Sequence, residues 1–292
     1  MNNESKGMLL GILGVVSFGL TLPATRFVIP YLDPIFVGLG RAVIAAIFAA
    51  ALLIITKQPI PNKNQFYRLV IIAMGVVIGF PVFSAWAMQT VPASHGGVVL
   101  GVLPLATAIV AVLISRERPS LGFWVSGVVG GAIVIVYSLL NGAGSFQIGN
   151  IALLGAIVSA AIGYAFGGQL SKEMGGWQVI CWALLISLPF TIGPAWIHSP
   201  VEVLNIPVSV WFGFLYLALV SQLLGFFLWY KGLALGGVAR VSQTQLIQPF
   251  VTILASALLI NEFIDVQTIV FSLLIVSTVI IGKKMPIYEK SK

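Results

Sequence analysis

The chain has 292 residues, of which 59% are apolar and only 8% charged, against about a quarter charged in ordinary soluble domains. Its 15 Lys+Arg and 8 Asp+Glu are too few to solvate a globule of this size, which excludes a soluble enzyme; a disordered chain needs the opposite balance, high charge and low hydropathy. The net charge of +7 does not point to nucleic acid, because the cations sit in short breaks between apolar runs and form no continuous patch.

A helix needs about 20 mainly apolar residues to cross the hydrocarbon layer, and ten such runs are predicted. The first, 7–29, is too long for a signal-peptide core and is followed by further runs, so it counts as a span. It carries Ser17, Thr21 and Thr25 and is interrupted by Pro23. Span two, 34–56, contains Arg41, the only cation well inside a run. Span three, 66–88, offers Phe80, Ser84 and Trp86, with Gln89 just beyond. Span four, 94–114, is interrupted by Pro104 and closes at Glu117; span five covers 120–140. Span six, 149–170, holds Ser159, Tyr164 and Gln169. Span seven, 177–197, contains the single cysteine, Cys181, so no intrachain disulfide can form. Span eight, 208–230, presents Gln222, Phe226, Trp229 and Tyr230 at one helical spacing. Span nine, 240–260, has a polar stripe of Ser242, Gln245, Pro249, Thr252 and Ser256, with Gln243 and Gln248 beside it, and is followed by Glu262. Span ten is 264–282.

Cation placement sets the expected orientation. With the N-terminus in the cytoplasm, the inward segments hold 13 of the 15 cations and the outward loops only Arg26. Both termini are therefore expected in the cytoplasm.

The sequence also repeats itself. Pro104 to Glu117 and Pro249 to Glu262 each place a Glu thirteen residues after a Pro at the end of an apolar helix. Thr107 matches Thr252, Trp86 matches Trp229, and Gly11 and Gly19 match Gly155 and Gly163. The expected fold is all-α and integral to the membrane: ten transmembrane helices as two five-helix repeats, 1–145 and 146–292. Five is odd, so the second repeat must lie inverted. Inverted repeats are the architecture of alternating-access carriers, with a site near the bilayer midplane between the halves.

These features resemble the drug/metabolite transporter superfamily in its two-copy EamA form, over essentially the whole chain. Arg41, seven residues after Pro34, also matches that family's pattern, whereas its counterpart in the second half is Leu184. The resemblance implies export of amino acids and related metabolites, one branch handling aromatic amino acids, and a place in a bacterial inner membrane is expected with it.

A charge inside a span costs about 3 kcal/mol on insertion scales and must face protein or water. Arg41 can hold a cargo carboxylate, or contact helix-end carbonyls, or snorkel outward. The expected cargo-binding set is Arg41, Ser17, Thr21, Phe80, Ser84, Trp86, Tyr164, Gln222, Phe226, Gln245, Gln248 and Thr252. Aromatic walls with a few polar groups suit a zwitterion with an apolar side chain; Trp229 and Tyr230 equally suit interfacial anchors. Pro23, Pro104 and Pro249 are expected hinges, and Glu117 and Glu262 helix-terminal or gating residues. Glycines four apart, such as Gly7/Gly11 and Gly232/Gly236, allow close helix packing, either static or as sliding surfaces.

All eight carboxylates fall in termini, loops or span ends. Without a buried acid, a carrier driven by the cargo gradient is expected, with His95 the only histidine close to a span in the first half. Extrusion of cationic or amphipathic drugs is the alternative, and an integral-membrane enzyme or lipid-handling protein the third. No metalloprotease, nucleophile-elbow or P-loop motif occurs, so neither enzymatic chemistry, a cofactor nor a metal is expected. Expected partners are the lipid bilayer and a small-molecule cargo, without nucleic acid; the oligomeric state is open, and a monomer is sufficient.

Overall fold

In hydrocarbon each backbone N–H and C=O must find its partner inside the protein, and the apolar runs meet that demand as helices. The computed structural model describes residues 3–115, 118–141, 148–236, 241–285 and 287–288. Among the described residues ten apolar helices follow in chain order: α1 (Ser5–Val28), α2 (Phe36–Ile55), α3 (Lys63–Ala87), α4 (Ala93–Ile114), α5 (Leu121–Leu140), α6 (Ile148–Met174), α7 (Gly176–Ile197), α8 (Val208–Gly236), α9 (Thr244–Ile260) and α10 (Val266–Gly282). The first eight have the length and hydropathy of full membrane spans, and the last two are shorter. Glu117 lies outside the described residues.

The helix ends follow local chemistry. Asn62 and Gln65 form a capping box at the start of α3. Asp265 accepts from the Thr268 N–H at 2.7 Å to open α10. Asn261, at φ 54°, turns the chain out of α9 in the left-handed conformation that Asn tolerates. A two-residue antiparallel pairing, Arg118–Pro119 with Ile287–Tyr288, ties the loop after α4 to the chain beyond α10.

Several helices are irregular, and the irregularities recur in the two halves. In α3 and α8 the backbone widens into π-turns at Ala73–Gly79 and Tyr216–Leu224, segments beginning 143 positions apart. In α4 two tight turns at Gly101 and Val102 precede Pro104. In α9 a tight 3₁₀ segment, Ser242–Ile247, precedes Pro249. A third π-turn, Phe36–Gly40, leads directly into Arg41.

Glycine governs how closely the halves approach. At the α1–α8 crossing, a Cβ on Gly7 would lie 2.5 Å from the Gly236 nitrogen, and one on Gly232 would lie 2.9 Å from the Gly7 carbonyl oxygen. No side chain fits there, so the backbones touch, as small-residue spacing permits. The broken helices α4 and α9 meet similarly, Gly97 against Thr252 and Gly101 against Pro249.

Candidate functional site

The site is built along α1, which faces α6, α8 and α9 in turn. Two prolines begin it. Pro23 has no N–H for the Gly19 carbonyl four residues back, and Thr252 of α9 donates to that oxygen at 2.8 Å instead. In α3 the π-turn pairs the Phe80 N–H with the Gly75 carbonyl, so the next donor in register would be Pro81, which has none. Gln222 of α8 fills the gap, its Nε2 donating to the Val76 carbonyl at 3.1 Å. The carbonyls freed by Pro23 and Pro81 in the first half thus each receive a side chain from the second.

Gln222 uses its other end on Arg41. The Arg41 Nε and Nη2 donate to Gln222 Oε1 at 3.1 and 2.8 Å, and Nη2 also reaches Ser221 Oγ at 3.4 Å. Ser221 shares a 2.7 Å hydrogen bond with Thr21 of α1. Arg41 is only 2% exposed, so it does not snorkel, and its hydrogen bonds run to side-chain oxygens of α8 rather than to helix-end carbonyls. Among the described residues no carboxylate stands within ion-pair distance of it. Burying a cation is costly unless its charge is balanced; here neutral oxygens alone receive it.

Along α1 from this cluster, rings close around Phe18. Its centroid lies 4.9 Å from Phe226, 6.0 Å from Tyr164 and 6.3 Å from Trp229, and Tyr230 leans against Phe226 at 5.3 Å, tilted by 58°. The Tyr230 hydroxyl donates to the Gly163 carbonyl. Trp229 and Tyr230 are wholly buried, which rules out interfacial anchoring. Beyond the rings the start of α9 packs on α1, with Val241 and Thr244 against Gly11. Among the described residues, Trp229 Nε1, Ser256 Oγ and both amide atoms of Gln245 are buried without a hydrogen-bond partner. Native interiors hold few such atoms.

The structure brings Arg41, Thr21, Gln222, Tyr164 and Phe226 into this region. Gln245, Gln248 and Thr252 line the buried face of α9, with Pro249 between them. Ser17 contributes its carbonyl, which accepts from Tyr216 Oη at 2.7 Å. Ser84 is buried, its hydroxyl spent on the Pro81 carbonyl, and Phe80 is half-buried against the core. Trp86 stands apart: it is 43% exposed, edge-on to Phe83. Phe80 and Ser84 are four apart and share a face, whereas residue 86 lies roughly 200° around from 84. Pro23 and Pro104 are buried at the breaks in α1 and α4. Glu262 accepts from the N–H groups of Ala93 and Ser94 at 2.7 and 2.8 Å, so a residue of the second half caps α4 of the first. Phe18, Tyr216 and Ser221 escaped the sequence reading. Phe18 shares a face with Thr21 at i, i+3 and was legible by that spacing; Ser221 reaches Arg41 only because it sits in a π-turn.

Ten packed apolar helices enclosing a polar seam define a multi-pass membrane protein. The EamA-like transporter family model matches residues 5–139 and again 147–281, and the chain belongs to that family. It is 41% identical over 262 residues to an uncharacterized transporter, YdeK, of Bacillus subtilis (strain 168), covering 90% of this chain and 91% of that one. It is 24% identical over 282 residues to protein PecM of Dickeya dadantii (strain 3937), covering 94% and 91%. A solved crystal structure superposes with a TM-score of 0.65 at 16% identity, over 95% of this chain and 96% of the other; that likeness is one of fold.

Proposed function

We propose that this transporter exports small carboxylate-bearing metabolites, amino acids with aromatic or apolar side chains first among them, from the bacterial cytoplasm by alternating access. The observation that carries the reading is Arg41, buried among neutral partners with no acid in reach among the described residues. A cargo carboxylate supplies the missing counter-charge, and two-pronged pairing with a guanidinium orients it. The rings around Phe18 receive the cargo's apolar body, and the unpartnered atoms of Trp229 and Gln245 its remaining polar groups. In the arrangement described these groups are packed shut, the occluded member of the cycle.

Five crossings in each half imply that the repeats run in opposite senses, and the cation count favours both termini in the cytoplasm. Discontinuous helices meeting at Gly97, Gly101, Thr252 and Pro249 supply the hinge region such a cycle needs. The cargo gradient provides the drive.

Competition separates this reading from drug extrusion. Proteoliposomes loaded with unlabelled phenylalanine should accumulate labelled phenylalanine by counterflow. Excess phenylalanine should compete, and phenethylamine, which lacks the carboxylate, should not. Competition by phenethylamine and cationic dyes, with no effect of any amino acid, would replace this proposal with the drug-exporter reading.

A further inference from the structure

At the end of the bundle bearing Thr90–Pro92 and Asn261–Asp265, two cavities of about 340 and 570 Å³ lie side by side. Pro92 and Glu262 line both and form the wall between them. That wall is a junction of the halves: the Glu262 carboxylate sits on the first two N–H groups of α4. A helix N-terminus carries roughly half a positive charge, so the junction is ionic in character; Arg26 also lines the larger cavity beside Glu262, its guanidinium donating to the Met88 carbonyl.

The next residue of α4 is His95. It is buried yet lines the smaller cavity. Its Nε2 shares a 2.7 Å hydrogen bond with Asn150 of α6. The ring lies flat on Tyr137 of α5, centroids 4.8 Å apart and 20° from parallel. The Tyr137 hydroxyl in turn meets Thr268 of α10 at 3.0 Å. Four helices therefore hold the imidazole in one place, beside an open cavity. The charged and titratable groups facing it are Glu262 and Asp265 from the α9–α10 connection and Tyr137 from α5; Asn150 and Thr268 are neutral. Residues 142–147, which lie outside the described residues, contain no titratable side chain.

We infer that His95 is a proton-binding site that controls the Glu262–α4 junction from this cavity, apart from the cargo site. A proton on the imidazole places a second positive group beside the N-terminus of α4, and the two compete for one carboxylate. With His95 neutral, Glu262 serves α4 alone and the junction is shut. With His95 charged, Glu262 is drawn toward the ring and the first turn of α4 loosens. The proton enters and leaves through the same cavity, so pH sets the gate without a proton crossing with the cargo. Histidine is the side chain whose ordinary titration lies nearest neutral pH.

The test needs no knowledge of the cargo. Hydrogen–deuterium exchange of residues 93–100 is followed in lipid nanodiscs at about pH 5 and about pH 8, each corrected to an unstructured reference peptide. In the wild type the corrected exchange should rise about tenfold at the lower pH. In His95→Gln it should stay at the slow rate at both. In Glu262→Gln it should be fast at both, because a neutral amide caps the helix less well. A wild type with no pH dependence overturns the inference. So does full pH dependence retained in His95→Gln, which would assign the effect to the carboxylates, or slow exchange in Glu262→Gln. Should His95→Gln fail to fold, nitrogen-15 NMR of histidine-labelled wild type decides. The chain has only two histidines, and His198→Gln assigns them. A His95 signal that does not titrate across the range in which exchange changes also overturns the inference. None of these readouts involves Arg41, so failure here leaves the proposed cargo site standing.

Discussion

Arg41 and Gln245 pose opposite problems in the same core. Arg41 has partners but no counter-charge, and Gln245 has no partner at all among the described residues. Truncation of Arg41 to Ala leaves Gln222 and Ser221 without their donor. The melting temperature of the detergent-solubilised protein should fall, corresponding to a loss of about 1–3 kcal/mol. Arg41→Gln keeps amide donors but removes the charge. Its melting temperature should stay near the wild type while affinity for phenylalanine, read by isothermal titration, drops about tenfold or more. Equal affinity in that variant would make Arg41 structural. Gln245→Leu should act in the reverse sense. Removing two buried unpartnered atoms should raise the melting temperature, each being worth about 1–3 kcal/mol, while cargo preference changes. A lower melting temperature with unaltered preference would mean that Gln245 finds a partner in the folded protein.

At the scale of elements, hydrogen bonds swapped between the halves matter more than helix propensity. Pro23 and Pro81 each orphan a carbonyl, and Thr252 and Gln222 satisfy them from across the interface. Thr252→Val should cost about 1–2 kcal/mol, because the Gly19 carbonyl is left buried and unpaired. Pro23→Ala restores an N–H within α1 and makes the threonine redundant. The double variant should therefore be more stable than the sum of the two single losses predicts, a coupling of about 1 kcal/mol in a double-mutant cycle. Strict additivity of the melting data would show that the two features act separately. The paired breaks in α4 and α9 were legible, since Pro104 and Pro249 stand at matching positions. The π-turns were not. A widened turn leaves no mark on hydropathic periodicity, and only the backbone reveals that Ser221 and Gln222 both reach Arg41.

For the whole molecule, the surface ion pair Arg68–Glu173 joins α3 to α6 at one end, and the Glu262 cap joins α9 to α4 at the other. An exposed pair contributes about 0–1 kcal/mol, so the Arg68–Glu173 end is not locked by electrostatics alone. Orientation is open to direct measurement. With Cys181 replaced by Ala, a cysteine at Lys57 should react with an impermeant maleimide only from the cytoplasmic side, and one at Val203 only from the outside. Both positions are exposed. Labelling of both from one side would dismantle the inverted-repeat arrangement and the transport cycle built on it.

Number, order and extent of the ten helices could be read from residue order, because hydrocarbon thickness and backbone satisfaction leave an apolar run of about 20 residues one outcome. Which faces of those helices meet could not. Phe80, Ser84 and Trp86 read as one group, yet Trp86 is turned away from the other two. Gln222 read as a lone amide, yet it joins Arg41 to a carbonyl freed by Pro81. Contacts between residues roughly 140 to 230 positions apart depend on helix rotation, and rotation is set by glycine-permitted backbone approach. Packing of that kind exists only once all ten helices are assembled.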